Sequence, residues 1–409
     1  MYAIIIMVIL EFAPKERNLH IMEKVRYGII GYGNMGSGHC RTLAEGKVKN
    51  AELTAICDIN PKKLEAAKEK YPNVALFDNH MDLLKSGLVD AIEIAVPHYF
   101  HPPIAIDAFK LGINVISEKP AGVYTKQVLE MMDAAKASGK AFGMMFNQRT
   151  NPMYQKMREM VQGGEIGRPY RCVWIITDWF RTQSYYDSGE WRATWDGEGG
   201  GVLMNQCPHQ LDLWQWIFGM PTRIHAFCHE GLYHDIEVED DVTAYAEYES
   251  GASAVFITTT GEAPGTNRLE ITGSKGKLVA EGTTLTFYKN EVDALEWLKD
   301  EKNGFSKPKC EKLEFKFDNA GPQHQGIFQN FTDHLVDGAP LLASGYEGIN
   351  GLSICNAMML SSWKNDWVNL PIDGDEFYGE LKKRIDNCRG KKKNVTETIA
   401  DLSDTYTSK

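Results

Sequence analysis

The chain has 409 residues, more than a single hydrophobic core usually organises, so we expect two domains. Hydrophobic residues make up 43% and charged residues 24%, as in soluble globular proteins. The formal net charge of −11 argues against a nucleic-acid partner, because phosphate backbones are bound by basic surfaces. The eight cysteines form no C-x-x-C pair, which is typical of reduced thiols in a cytoplasmic protein.

The first residues, "MYAIIIMVILEF", are apolar, but the run is too short to span a bilayer and lacks a basic start. A second methionine, Met22, directly precedes the globular pattern. We therefore expect residues 1–21 to be a dispensable, disordered extension, and we expect no membrane partner. At the other end, the polar residues 390–409 are predicted to form a loose tail.

From Val25 onward, short apolar runs alternate with segments of helical period. The predicted strands are "VRYGII", "ELTAIC", "VDAIEIAV", "INVISE" and "KAFGMMF". The predicted helices are "PKKLEAAKEK", "MDLLKSG", "HPPIAIDAFKLG" and "TKQVLEMMDAAKASG". This exchange predicts an α/β domain over residues 22–147, a Rossmann doubly wound parallel sheet with helices on both faces.

A glycine-rich loop follows the first strand, where Gly31, Gly33 and Gly36 satisfy G-x-G-x-x-G. Only glycine allows so sharp a turn and so close an approach of a pyrophosphate to the amides of the next helix. Asp58 ends the second strand about twenty residues later, where a carboxylate can accept the ribose hydroxyls. Asp58 would repel a 2′-phosphate, which favours NAD over NADP. The alternative is that Asp58 only caps the helix that begins at Pro61.

Residues 148–389 change to longer strands joined by glycine-bearing turns. The predicted strands are "YRCVWIITDW", "TRIHAFCHEG", "DVTAYAEYES", "ASAVFITTT", "NRLEITG" and "GKLVAEG". They indicate an α+β domain with a large, mostly antiparallel open sheet. Such a sheet can cover a cofactor cleft and offer its other face to a second subunit, so we predict a homodimer or homotetramer.

Four motifs in this order resemble the glucose-fructose oxidoreductase, inositol dehydrogenase and MocA (Gfo/Idh/MocA) family of NAD(P)-dependent sugar dehydrogenases. They are the glycine loop, "EKP" from Glu118, "GEIGRP" from Gly164 and "GGGVLMNQCPHQLD" from Gly199. The resemblance covers about Val25 to Gly351. It implies NAD as cofactor, a carbohydrate substrate and cofactor contacts at the following positions: Gly31, Gly33, Asn34, Met35, Gly36, Asp58, Pro97, His98, His101, Glu118 and Lys119.

The chemistry of alcohol oxidation agrees with this resemblance, since the hydroxyl proton must leave as the hydride departs. Lys119 follows a strand end, where its ammonium can bond the reacting oxygen. His209 lies on the segment "VLMNQCPHQLDLWQWIFG", which we expect to be one helix, and Asn205 lies four residues earlier on the same face. We expect Lys119, His209 and Asn205 to form the catalytic set, and we expect Asp212 to have a structural role.

One position departs from the family. The inositol dehydrogenases carry aspartate where this chain has Asn205, and an amide holds neither a proton nor a charge. The inositol dehydrogenase interpretation is thereby weakened. General acid and general base catalysis must then come from Lys119 and His209, and the sequence does not decide which of the two takes the proton first.

The segment "TDWFRTQSYYDSGEWRATWDGEGGG" is rich in aromatic residues and arginine, as a carbohydrate pocket is. Packing of these aromatic side chains in a sheet or subunit interface is the alternative. Arg181 and Tyr186 are the predicted substrate contacts, joined by Lys119, Asn205, His209 and, from a late helix, His324. We expect no metal at "HAFCHEGLYHDIEVEDD", because strand alternation would split its ligands between two faces.

The leading prediction is an NAD-dependent dehydrogenase of a secondary hydroxyl in a sugar or glycoside, with C3 of a hexopyranoside as one candidate carbon. A glycosidase that retains NAD and oxidises C3 transiently is the main alternative. A sensor without catalysis fits less well, because the chain keeps both Lys119 and His209.

Overall fold

A computed structural model of the protein describes residues 23–388. The predicted extension (1–21) and the predicted tail (390–409) lie outside the described residues. Across 23–388, no helix is both long enough and apolar enough to cross a membrane.

The first domain is built on six parallel strands. They are β1 (Val25–Ile30), β2 (Ala51–Cys57), β3 (Ala75–Phe77), β4 (Ala91–Ile94), β5 (Asn114–Ser117) and β6 (Phe142–Met144). The order across the sheet is β3-β2-β1-β4-β5-β6, with every neighbouring pair parallel. This confirms the doubly wound Rossmann sheet, whose crevice at the carboxyl ends of the strands is where such folds bind ligands.

Five helices connect these strands. They are α1 (Asn34–Ala44), α2 (Pro61–Lys70), α3 (His80–Lys85), α4 (His101–Lys110) and α5 (Thr125–Ser138). Each predicted helix is found within a few residues of its expected bounds. The short strand β3 was not predicted, because three half-buried residues give no periodic signal.

The second domain carries a sheet of nine strands. They are β7 (Pro169–Ile176), β8 (Arg223–Glu230), β9 (Glu239–Glu247), β10 (Ser253–Thr259), β11 (Asn267–Gly273), β12 (Gly276–Glu281), β13 (Thr284–Asn290), β14 (Cys310–Lys316) and β15 (Val368–Asn369). The order is β14-β13-β12-β11-β7-β10-β9-β8-β15. All pairs are antiparallel except β7 with β10. The mostly antiparallel sheet is confirmed; strands β13 to β15 were not predicted.

Seven further α-helices lie in the described part of the second domain. They are α6 (Pro152–Gln162), α7 (Gln183–Tyr186), α8 (Pro208–Phe218), α9 (Ala294–Asp300), α10 (Gln323–Asp337), α11 (Gly348–Lys364) and α12 (Gly374–Asp386). Helix α8 is buried from Pro208 to Ile217 because it packs on the sheet, where the Trp214 ring stacks on Phe256 with centroids 5.6 Å apart. The predicted domain boundary at residue 147 falls in the turn Asn147–Thr150, and it stays a prediction.

The second domain also packs against the first. On α10, Phe328 contacts the Tyr27 ring of β1 edge to face, and Thr332 hydrogen-bonds the Tyr27 hydroxyl at 2.9 Å. On α11, the Asn356 amide donates to the carbonyl of Val123 at 3.0 Å. These contacts fix α10 and α11 of the second domain against β1 and the segment after β5 of the first domain.

Candidate active site

The three motif glycines have two different reasons to be glycine. Gly31 has φ +101°, and a Cβ on Gly36 would lie 1.8 Å from the Gly31 carbonyl oxygen. The fold itself therefore requires both. A Cβ on Gly33, in contrast, would meet nothing within 4 Å. The absence of a side chain at Gly33 keeps a space open at the start of α1.

That space suits a pyrophosphate. Gly33 is the N-cap of α1 and offers no side-chain cap, so the first amides of the helix, at Asn34 and Met35, carry no bond from a capping side chain. Unsatisfied amides and the helix dipole together bind anions. The loop therefore fits the predicted dinucleotide.

The carboxylate of Asp58 is fixed beside this loop. Its Oδ2 accepts the amide of Tyr32 at 2.7 Å, and its Oδ1 accepts the amide of Asn60 at 2.8 Å. Helix α2 is capped by the Asn60 side chain, which accepts from Lys62. The alternative that Asp58 is only a helix cap is therefore wrong, and a ribose role for Asp58 stays a prediction.

The turn after β4 holds three predicted cofactor contacts. Pro97 opens a short 3-10 turn in which the His98 ring lies buried, with Nδ1 3.1 Å from the carbonyl oxygen of Glu198. Both ring nitrogens of His101 lie within 2.8 Å of backbone carbonyl oxygens. The two histidines therefore tie loops of the site together, and contact with the cofactor stays a prediction for all three residues.

Glu118 anchors the turn that carries Lys119. Its Oε2 accepts the amide of Lys119 at 3.0 Å, and its Oε1 bonds His39 Nε2 at 2.8 Å. Burial raises the pKa of Glu118, but the His39 bond and charge outweigh burial, so the pKa is lowered. The carboxylate of Glu93 lies 3.6 Å from the same ring, and burial raises its pKa. His39, Glu93 and Glu118 offer ligand atoms within 4.8 Å of one another, and the bond between His39 and Glu118 supports the turn that carries Lys119.

Lys119 reaches the second domain directly. Its Nζ donates to the backbone carbonyl of Asn205 at 2.9 Å. Burial lowers the pKa of Lys119, while the charges of Glu118 and Glu198 raise it. The amine of the first domain is thus held against the segment that precedes His209.

That segment is not the continuous helix predicted from the sequence. Residues Val202–Gln206 form a π-helical turn, and α8 begins only at Pro208. Proline lacks the amide hydrogen needed to continue the turn, which explains the break. From Gly201 to Ile217, every residue except Asn205 is buried.

His209 lies in the first turn of α8 and is 2% exposed. Its pKa is well below the ordinary histidine value, first because of burial and then because of the Lys119 charge. The charges of Glu118 and His324 also act on it. His324, near the start of α10, packs on the His39 ring at 5.3 Å, and burial lowers its pKa to about 4. Lys119, Asn205, His209 and His324 therefore come together.

The Asn205 amide meets a carboxylate that the sequence analysis missed. Asn205 Nδ2 donates to Glu198 Oε1 and, at 3.2 Å, to the hydroxyl of Tyr185. Side-chain N–H groups of Arg192 and Gln206 also lie within hydrogen-bond distance of the Tyr185 hydroxyl oxygen, at 3.0 and 3.2 Å. The signal for Glu198 was its place directly before the glycine run, within a segment already assigned to the pocket.

The two predicted aromatic-segment contacts differ. Arg181 is half-buried and lies over the rings of Tyr185 and Trp179, at 5.2 and 5.6 Å. Tyr186 is 1% exposed and donates its hydroxyl to Thr260 at 2.8 Å, so it packs inside the domain. This geometry does not favour Tyr186 as a substrate contact. The neighbouring Tyr185, which lies beside Asn205, is the better candidate.

Asp212 has the structural role expected of it. It forms a buried bidentate ion pair with Arg149, with bonds of 2.8 and 2.6 Å, and Gln215 adds a third bond. Arg149 also bonds Glu347, which joins the turn after β6 to α8 and to the turn before α11.

Two of the three histidines in the segment 225–235 pair with an aspartate. His229 of β8 pairs with Asp241 of β9 at 3.0 Å, which links neighbouring strands. His234 pairs with Asp240 at 2.9 Å and lies against the carbonyl of Arg181, which fixes the loop after β8. The third, His225, packs against the rings of Phe227 and Trp367.

Comparisons with known proteins agree with this architecture. Residues 25–146 match a family described as "Oxidoreductase family, NAD-binding Rossmann fold", and residues 154–279 match the "GFO/IDH/MocA C-terminal domain". A myo-inositol 2-dehydrogenase of Thermotoga maritima is 25% identical over 64% of this chain and 77% of its own. A D-glucoside 3-dehydrogenase of Escherichia coli is 28% identical over 48% of this chain and 55% of its own.

Among solved structures, the WlbA dehydrogenase of Bordetella pertussis, crystallised with NADH and UDP-GlcNAcA, superimposes with a TM-score of 0.72 at 28% identity. The match covers 86% of this chain and all of that one. The predicted NAD-binding Rossmann domain and the predicted oxidoreductase class are thus confirmed. The chain belongs to the Gfo/Idh/MocA family of oxidoreductases.

Proposed function

We propose that the protein oxidises a secondary hydroxyl of a sugar or glycoside, with Lys119 and His209 acting on that hydroxyl. The bond from Lys119 Nζ to the Asn205 carbonyl carries this proposal. It brings the EKP turn of the nucleotide domain to the turn that leads into α8. In this proposal the Lys119 amine of one domain and the Asn205 amide and His209 imidazole of the other face one substrate hydroxyl at the ligand-binding edge of the parallel sheet.

The protonation states suit the reaction. NAD, when bound, supplies the hydride acceptor. Because burial and the Lys119 charge lower the pKa of His209, its imidazole is neutral at neutral pH and able to take the hydroxyl proton. An ammonium at Lys119 donates to the oxygen on which negative charge develops. Burial also lowers the pKa of Lys119, so the reverse assignment, with Lys119 as base, is the second form of the proposal.

A carbohydrate substrate is supported by the polar and aromatic surroundings of Asn205. The guanidinium groups of Arg181 and Arg192 lie 5.2 and 4.7 Å from the centre of the Tyr185 ring. Ring faces and fixed hydrogen-bonding groups suit pyranose recognition. The dehydrogenase relatives act, by their names, on inositol and on a glucoside at C3, and we propose the same class of substrate, with C3 as one candidate carbon.

The test is a substrate panel. The protein is incubated with NAD and, in parallel, with NADP, together with hexoses, inositols, anhydrosugars and aryl glycosides. NADH absorbance and product analysis are recorded together. NADH accumulating in step with a ketone supports the proposal. Release of an aglycone without net NADH would support the NAD-retaining glycosidase, and binding without either product would support a sensor.

The proposal includes a homodimer or homotetramer formed through the outer face of the second sheet. Phe227 and Tyr245 are exposed there, and half-buried Val173, Ile175 and Ile257 lie on neighbouring strands. An apolar sheet face of this kind is usually covered. Sedimentation at micromolar protein is the test, and a monomer would remove this part.

A further inference from the structure

We propose that Glu198 is a positioning residue for the oxidation, in that it sets the direction of the Asn205 amide and holds a negative charge beside Lys119. This inference rests on the proposed function and concerns a residue outside the "EKP" and "NQCPH" motifs. Glu198 ends the turn before the glycine run and is 1% exposed.

The direction of the Asn205 amide follows from chemistry. An ionised carboxylate only accepts hydrogen bonds, so the amide nitrogen must face Glu198 Oε1. The same nitrogen lies 3.2 Å from the Tyr185 hydroxyl oxygen, which Arg192 and Gln206 also approach as donors. The side-chain oxygen of Asn205 therefore remains as an acceptor, and Asn205 is the one residue between Gly201 and Ile217 that is not buried. A substrate hydroxyl at this position must donate its hydrogen bond to that oxygen.

Glu198 is held rigidly enough to do this. Its Oε2 accepts the backbone amide of Ala193 at 2.6 Å, and Arg192 lies 3.9 Å from Oε1. The backbone carbonyl of Glu198 lies against His98. The carboxylate therefore has a fixed place between Arg192 and the Asn205–Lys119 link.

The charge on Glu198 acts on Lys119. Burial lowers the pKa of the amine and the Glu198 charge raises it; burial raises the pKa of the Glu198 carboxyl, and the charges of Arg192 and Lys119 lower it. Since Asn205 is uncharged, Glu198 supplies the negative charge on the second-domain side of Lys119, opposite Glu118. The other titratable or charged groups that interact with this pair are Arg192, Cys207, His98, His101, Tyr186, His209 and His324.

The test measures the pKa of Lys119 without turnover. Competitive amine acetylation over a pH series, read by mass spectrometry of the Lys119 peptide, is applied to the wild type, Glu198→Gln, Glu198→Asp and Arg192→Gln. In Glu198→Gln the pKa of Lys119 should fall by about one pH unit. In Glu198→Asp it should stay near the wild-type value, and in Arg192→Gln it should rise.

Steady-state kinetics on a substrate from the panel complete the test. In Glu198→Gln, kcat should fall about 10-fold or more with NAD affinity unchanged, and the alkaline limb of kcat/KM should move to lower pH. Glu237→Gln is the matched control, because Glu237 also accepts a loop amide, that of Trp195, at 2.9 Å. Glu237→Gln should leave the Lys119 pKa, kcat and the alkaline limb of kcat/KM unchanged.

An unchanged Lys119 pKa in Glu198→Gln would overturn the inference. If Glu198→Gln does not fold, Glu198→Ala replaces it, and an unchanged Lys119 pKa in that variant would overturn the inference. The labelling experiment requires no substrate. If the enzyme oxidises no sugar, the proposed function is refuted, but the measured pKa of Lys119 in the variants still decides whether Glu198 has the proposed role.

Discussion

Gly33→Ala separates the cofactor role of the glycine loop from its folding role. The backbone at Gly33 is extended, with φ −87° and ψ −162°, and the new Cβ meets nothing within 4 Å. Alanine is therefore tolerated, and restricting the unfolded chain stabilises by about 0.4–1 kcal/mol. The same methyl fills the space at the start of α1. Losing one charge-assisted bond to a phosphate costs about 1.5–3 kcal/mol, which is roughly 10- to 150-fold in NAD affinity.

Isothermal titration with NAD and thermal unfolding measure the two effects separately. Gly38→Ala is the matched control, because its Cβ also meets nothing within 4 Å, yet it lies inside α1 and should bind NAD normally. Gly36→Ala is the opposite case, because its Cβ would overlap the Gly31 carbonyl oxygen and should destabilise the domain by about 1–3 kcal/mol or more. Wild-type NAD affinity in a stable Gly33→Ala protein would refute the reasoning.

Three further predictions concern the remaining site residues. Asp58→Asn keeps one acceptor oxygen for a backbone amide, loses the other bond and removes the charge, so Lys63, which lies 3.8 Å from the carboxylate in the wild type, can meet a 2′-phosphate. The ratio of NADP to NAD affinity should rise about 10-fold, and an unchanged ratio would contradict the ribose role. Asp212→Asn removes the negative charge that pairs with the buried guanidinium of Arg149, so the free energy of unfolding, measured with denaturant, should fall by about 3–5 kcal/mol. The double variant Arg149→Met, Asp212→Leu should recover most of this loss. A stable but inactive Asp212→Asn protein would show a catalytic role instead. Because the pKa of His209 is lowered, its imidazole stays neutral as the pH falls, and the acid limb of kcat/KM should lie below the ordinary histidine pKa of about 6.5. His209→Asn should lower kcat about 10²-fold or more. An acid limb above the ordinary histidine pKa would contradict the assignment of His209 as base.

The sequence was most informative where one local pattern determines the structure. The strand "VRYGII" and the helix beginning at Pro61 are found at their predicted bounds, because each has a single apolar period and clear end signals. The break at Cys207 was missed, since apolar periodicity runs through it while Pro208 alone interrupts the helix. Tyr185 and Tyr186 could not be told apart from sequence, because only the tertiary structure places one hydroxyl beside Asn205 and the other beside Thr260.

Glu198 was missed for a related reason. Its place before the glycine run is a positional signal without periodicity, and its importance comes from Asn205, seven residues later, and from Lys119, which is distant in sequence. The pairing of Asp212 with Arg149 is equally non-local. Sequence patterns thus identified the residue types of the site, whereas the charge arrangement around Lys119 required the folded chain.

A double-mutant cycle tests most directly whether one amine and one imidazole, from different domains, serve the same alcohol. The enzyme–NAD complex is mixed with excess substrate, and the single-turnover rate of NADH formation is measured for the wild type, Lys119→Ala, His209→Ala and the double variant. If the two groups act as one unit, the double variant should be scarcely slower than the slower single variant, with NAD affinity retained throughout. Rate losses that multiply, or a Lys119→Ala enzyme with the wild-type rate, would contradict the account.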